Sequence, residues 1–136
     1  GVALYSKKGS GDWSKLVGDK GADMNLASLW DVWSLNGDAY AVGNYGRIFH
    51  WLNGSFIDAV IGLDSPTVNT LTAVWGRSKN DMYVGGTLGT LFHFDGTNWR
   101  NEKSNTFRDI NEIFGFGFPK VTYAGGDNGV ILKKAK

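Results

Sequence analysis

The stretch Leu71–Trp99, LTAVWGRSKNDMYVGGTLGTLFHFDGTNW, decides the fold. It contains three short stretches rich in β-branched and aromatic residues: one that ends at Trp75, one that starts at Asp81 and one from Thr90 to Phe94. Each is of strand length, and turn-forming residues separate them. A fourth strand is expected to start near the aromatic Trp99. The turn Gly86-Thr87-Leu88-Gly89 joins the second run to the third. Two-residue hairpin turns need positive φ at their centre, and flanking glycines permit unusual backbone angles. The sequence places that centre at Thr87-Leu88. A Gly-x-x-Gly that opened a helix could cradle a phosphate, but no helical period follows this one.

The same phrase is written before and after. Upstream it reads LWDVWSLNGDAYAVGNYGRIFHWLNGSF from Leu29, and downstream INEIFGFGFPKVTYAGGDNGVILKK from Ile110. Trp33, Trp75 and Phe114 correspond, as do Tyr40, Tyr83 and Tyr123. The closing glycines of the turn, Gly46, Gly89 and Gly129, correspond too. Trp13 stands 43 residues before Phe56, which stands 43 before Trp99. Four strands in ~40–45 residues is the period of a β-propeller blade. The expected fold is therefore all-β, with about three to three and a half four-stranded antiparallel blades in one domain over 1–136. The pieces fall near 1–25, 26–66, 67–106 and 107–136. Leu29, Val32, Ile48, Val74, Leu91, Ile113 and Ile131 recur at equivalent places and are expected to fill the seams between blades.

Counting strands leaves the ring incomplete. The first piece holds the third and fourth strands of a blade, and the last piece lacks its fourth. Closed propellers have typically 4–8 blades, and an open arc exposes strand edges and apolar faces. Two readings stay open. The remaining blades belong to another propeller segment, or copies of the chain assemble as a homo-oligomer.

Composition narrows the function. The 14 Lys and Arg nearly cancel the 13 Asp and Glu, which argues against nucleic acid as partner. The basic end at Lys133, Lys134 and Lys136 is expected to be a solvated tail. No apolar run approaches the ~20 residues that span a bilayer, and no signal peptide is visible. The absence of cysteine excludes disulfides and thiolate metal sites. No metal site, cofactor or catalytic residue is expected. The two histidines, His50 and His93, occupy the same repeat position in different blades, which suits a structural role better than a catalytic pair. Asp38 and Asp81 recur at a turn, where short acidic side chains bond backbone N–H groups. Asp127-Asn128-Gly129 reads as a hairpin turn, since it lacks the other ligands of a calcium loop.

The informative residues are those that break the repeat. Trp30 stands where the other units have Thr72 and Asn111; Tyr45 stands at a turn tip opposite Leu88 and Asn128; Trp51 replaces Phe94 and Lys134. Aromatics out of register with a repeat can stack on sugar rings or anchor a protein. Trp30, Tyr45 and Trp51 are the candidate ligand-binding residues. The expected function is non-enzymatic binding of a glycan or a protein partner. The alternatives are a structural scaffold completed by itself or a partner, and last a sialidase-like enzyme, which needs two carboxylates facing one another across a cleft.

The unit VWGRSKNDMYVGGTLGTLFHFDGTNW resembles a bacterial β-propeller repeat of the pattern VWG, turn, DVYAVGxxGTILHYDGxxW, with relatives among sialidase-like, Asp-box and photosystem-assembly-factor propellers. The likeness covers essentially the whole chain. Asp95-Gly96-Thr97-Asn98-Trp99 lacks the Ser-x that precedes a full Asp-box, and Val121 replaces the aspartate seen at Asp38 and Asp81. The resemblance implies an extracellular or cell-surface location and no particular reaction.

Overall fold

The structure, a computed structural model, describes residues 4–6, 10–16, 28–53, 55–59 and 67–135. The expected blade boundaries near residues 25 and 66 lie outside that set. Among the described residues there is a two-stranded sheet, two four-stranded sheets and a three-stranded sheet, all antiparallel. The two-stranded sheet pairs β1 (Leu4–Ser6) with β2 (Ser14–Leu16). The first blade runs β3 (Leu29–Leu35), β4 (Asp38–Gly43), β5 (Ile48–Leu52) and β6 (Ser55–Asp58). The second runs β7 (Leu71–Ser78), β8 (Asp81–Gly86), β9 (Leu91–Phe94) and β10 (Trp99–Asn101). The third has β11 (Ile110–Phe116), β12 (Val121–Gly126) and β13 (Ile131–Ala135). In each, strands follow chain order across the sheet.

The repeated aromatics are cross-strand partners. Trp33 lies opposite Tyr40, Trp75 opposite Tyr83 and Phe114 opposite Tyr123. Such opposed pairs are the unit that fixes strand register. First strands of neighbouring blades lie side by side: the Val74 N–H donates to Asp31 Oδ2 at 2.8 Å, and the Thr72 hydroxyl donates to the Ile110 carbonyl at 2.5 Å. The blades thus meet face to face with their first strands together.

The core sits in the seams. Tyr40, Val42 and Ile48 of the first blade meet Leu71, Val74, Met82, Val84, Phe92 and Trp99 of the second. Ala73 and Tyr83 of the second meet Ile110, Ile113 and Ala124 of the third. Burying one such aliphatic side chain stabilises the fold by ~1.5–3 kcal/mol. Two residues expected in this core are exposed instead: Val32 (53%) and Ile131 (76%). Val32 points away from the second blade and Ile131 away from it on the other side of the arc. Repeat equivalence gives them a core identity, but no described neighbour covers them. The expected lysine tail is also corrected, because Lys133 and Lys134 lie in β13 and Lys134 pairs with Glu102 at 2.5 Å.

Candidate binding face

One end of the blades carries the turns between second and third strands and the loops that lead into each first strand. The turns depart from expectation by one residue. Positive φ falls at Tyr45 and Gly46, Leu88 and Gly89, Asn128 and Gly129, so these pairs are the turn centres. The Arg47, Thr90 and Val130 N–H groups close the turns onto the carbonyls of Asn44, Thr87 and Asp127. The residue before each centre is displaced from its own hairpin. Its N–H donates to the carbonyl ahead of the first strand instead: Asn44 to Ser28, Thr87 to Thr70, Asp127 to Asp109, each at 2.9–3.0 Å. Gly46 combines positive φ with a site where a Cβ would overlap the Thr67 carbonyl, so only glycine fits there.

The first strands carry a matching irregularity. Pairing of β3, β7 and β11 with their partners slips at Trp30, Thr72 and Asn111. A β-bulge re-aims the side chain of its extra residue. Trp30 Nε1 donates to Asn44 Oδ1 and Asn111 Nδ2 to Asp127 Oδ1, both at 2.6 Å. In the first and third blades this position ties the first strand to its turn, whereas Thr72 bonds the next blade instead, and in Trp30 the position adds an exposed indole.

Trp30 and Tyr45 are therefore brought together, since Tyr45 follows the asparagine that Trp30 holds. Tyr45 is 65% exposed. Trp51 is placed apart: it pairs with Ala39 and Phe56 at the opposite end of β5, near Asp38, and is half-buried. The structure adds Val68, Leu88 and Phe107, all exposed apolar residues. Val68 and Phe107 each stand two residues before the carbonyl that anchors a turn, Thr70 and Asp109. The Gly46 N–H donates to the Asn69 carbonyl at 2.9 Å, which sets the Tyr45 tip against the Val68 loop. Leu88 N–H donates to Asp109 Oδ1 at 2.9 Å, and an open groove of about 460 Å³ runs between Leu88 and Phe107. The result is a row following the arc: Trp30, Tyr45, Val68, Leu88, Phe107. The signal missed in the sequence was an isolated apolar residue among polar loop neighbours, Thr67-Val68-Asn69 and Thr106-Phe107-Arg108.

The titratable residues serve the sheets. His50 stacks on Tyr40 at 4.2 Å and His93 on Tyr83 at 4.4 Å. His50 Nε2 bonds Asp38 Oδ1 at 3.1 Å and His93 Nε2 bonds Asp81 Oδ1 at 2.8 Å. Each aspartate thus has a histidine partner across the sheet, and Asp81 pairs with Arg77 as well. In the third blade Val121 and Lys133 replace both members at once. Burial first, and then the Asp81 and Glu102 carboxylates, push the Tyr83 phenol up to about 12; burial and Asp38 raise Tyr40. Asp31 spends its carboxylate on backbone N–H groups, those of Val32 and Val74. Asp95 accepts from the N–H groups of Asn98 and Thr97 and from Arg100, which hold its carboxyl well below the usual carboxylate range. Among the described residues no group of three or more His, Cys, Asp or Glu could hold a metal. No helix among them is long and apolar enough to cross a membrane.

No family model matches the chain, and no curated protein matches it. Among solved structures it is similar to YCF48 from Cyanidioschyzon merolae, at 14% identity and a TM-score of 0.75. It is also similar to a structure described as YCF48 bound to D1 peptide, at 13% identity and a TM-score of 0.76. Each likeness takes in 98% of this chain and 44% of the other, so the chain spans less than half the length of these proteins. At this identity the likeness is one of fold: this chain is a partial β-propeller.

Proposed function

We propose that the chain is a non-enzymatic binding module that takes an extended protein segment across the row Trp30, Tyr45, Val68, Leu88 and Phe107. The observation that carries this is the row itself, apolar and exposed on turns whose backbone is fixed by repeated hydrogen bonds. Exposed apolar patches on rigid scaffolds serve contact with other proteins. A neighbour of the same fold was solved with a peptide bound. Of the two ligand classes expected from sequence, the row favours protein. Sugar rings ask for aromatic faces, whereas Val68 and Leu88 offer aliphatic contact suited to peptide side chains.

The test is selection of peptides from a displayed random library, with affinities measured by calorimetry. Tyr45→Asn and Leu88→Asn copy the Asn128 turn of the third blade and so keep its backbone. With Phe107→Ala, each is expected to weaken a selected peptide tenfold or more at unchanged melting temperature. Selected peptides that bind these variants as well as the parent would place the site elsewhere. Hits on a glycan array with none from the peptide library would replace protein by sugar.

A further inference from the structure

In the first blade a salt bridge fills the space beside the turn. Arg47 follows the turn and pairs with Asp58 on β6, Nη1 to Oδ2 at 2.5 Å, with its guanidinium over the Phe49 ring. Phe49 lies opposite Asp58 in the sheet. The second blade has the same frame and different side chains. Thr90 stands for Arg47, Asn101 for Asp58 and Phe92 for Phe49, with Phe92 opposite Asn101. Two long charged groups give way to two short neutral ones. A pocket of about 270 Å³ opens there, lined by Thr67, Asn69, Leu88, Thr90, Phe92 and Asn101 together with backbone of the turn. No charged side chain lines it among the described residues.

The hydrogen bonds around this pocket set what it can bind. The Thr90 hydroxyl donates its one proton to the Thr87 carbonyl at 2.7 Å. Towards Asn69 it can only accept, so Asn69 presents Nδ2 to it, at 2.8 Å. The amide is thereby oriented, and its Oδ1 is left to accept: among the described residues no donor is paired with it. The Thr67 hydroxyl accepts the Asn69 N–H at 3.1 Å and has its own proton to give. A ligand therefore meets an acceptor and a donor. A lysine or arginine would satisfy the acceptor but bury its charge with no carboxylate in the lining. A primary amide matches both groups and carries no charge. Leu88, Gly89 and Asn101 line this pocket and also the groove that runs to Phe107, so the two adjoin along the row. We propose that the pocket takes the side-chain amide of a glutamine or asparagine in the protein segment bound along that row, a proposal that rests on the row being the binding site. The amide residue lies close in the segment's sequence to the apolar one that fills the groove between Leu88 and Phe107.

The first blade supplies the means to fill the pocket. Thr90→Arg with Asn101→Asp writes the Arg47–Asp58 pair into the second blade, over a phenylalanine already in place. Peptides selected from a random library on the unaltered chain are sorted by whether Leu88→Asn weakens them. Those it weakens are expected to carry Gln or Asn near an apolar residue and to lose tenfold or more in affinity when that amide residue becomes Ala. They are expected to lose as much on the Thr90→Arg, Asn101→Asp protein, whose melting curve verifies its fold, while the Ala peptides bind both proteins alike. The Ala peptides read the pocket on the unaltered chain even if the filled variant does not fold. Leu88-sensitive peptides with no preference for an amide, with Lys or Arg in its place, or indifferent to its loss would overturn the proposal and leave the row standing. No Leu88-sensitive peptide at all would overturn the row, and the proposal with it.

Discussion

The two seams of this arc are built on the same repeat positions and held by different chemistry. Between the first and second blades the contact is apolar, closed by Trp99 against Phe94 with ring centroids 5.1 Å apart. Between the second and third, Met82 is answered by Thr122, Phe94 by Lys134 and Ala59 by Glu102. Polar groups there add to the apolar contact of Ala73 and Tyr83 with Ile110, Ile113 and Ala124. Arg77 pairs with Asp81 in its own blade and reaches across to the Phe116 carbonyl at 3.0 Å and the Thr122 hydroxyl at 2.9 Å. Lys134 pairs with Glu102 and lies over the Tyr83 ring. A repeat fixes where a seam runs, while the side chains decide what chemistry holds it.

Removing the apolar plug should have the largest effect. Trp99→Ala leaves a large cavity at the centre of the first seam, and such truncations cost ~3–5 kcal/mol. Urea unfolding followed by circular dichroism measures it; a loss below ~1 kcal/mol would mean the first seam is held elsewhere. Arg77→Met comes next. It keeps an unbranched aliphatic stem but removes the guanidinium over Trp75, the pair with Asp81 and the bonds into the third blade. Hydrogen bonds to charged groups contribute ~1.5–3 kcal/mol each, and Thr122, itself buried, loses a partner. Hydrogen exchange should quicken in β11–β13 while β3–β6 stay protected. Uniform quickening across all blades would show that the seams do not respond separately.

Much of this was legible in the sequence, for a physical reason. Period-two alternation and a fixed repeat determine strand register, so Trp33, Trp75 and Phe114 could be aligned with one another, and Tyr40 with Tyr83 and Tyr123, before any contact was known; that each tryptophan or phenylalanine faces its tyrosine across the sheet came from the structure. The turn centres were missed by one residue because three residues, not two, lie between Gly43 and Arg47, and the first of them, Asn44, turns its N–H out to Ser28. The Asp38–His50 pairing was hidden because it depends on which residues two strands oppose; its trace was the joint loss of both partners at Val121 and Lys133. Trp30 and Tyr45 stood out as breaks in the repeat. Val68 and Phe107 did not, because they lie in the loops where the units align with gaps. The exposure of Ile131 was not legible at all, since equivalence specifies a side chain and says nothing of its neighbour.

Alkaline pH offers a finer comparison of the seams. The Tyr83 phenol has its pKa pushed up to about 12, against a reference of ~10. Below pH ~10 both folded and unfolded chains keep the proton. From there towards pH ~12 the unfolded chain releases it first, so stability falls as pH rises. The melting temperature should decline over that window, and Tyr83→Phe should flatten the decline. Tyr40→Phe should flatten it less, because Tyr40 faces only Asp38 where Tyr83 faces Asp81 and Glu102. Equal flattening by both would remove any electrostatic difference between the seams.

The smallest effect is the most diagnostic. Glu102→Ala together with Lys134→Phe rewrites the second seam in the residues of the first, Ala59 and Phe94. The ion pair is partly exposed, with side-chain accessibilities of 26% and 38%, and pairs of that kind contribute ~0–1 kcal/mol. Glu102→Ala alone should therefore cost at most about 1 kcal/mol, since Lys134 keeps its place over Tyr83. Lys134→Phe alone sets a ring beside a carboxylate that has lost its lysine, and should cost a similar amount. The double variant should recover both losses, because an apolar pair that packs commonly equals or exceeds the ion pair it replaces. A double-mutant cycle in urea reads the coupling directly. If the losses add without coupling, the ion pair is incidental to the seam, and the apolar contacts of Tyr83, Ile110 and Ile113 hold it without help from the charges.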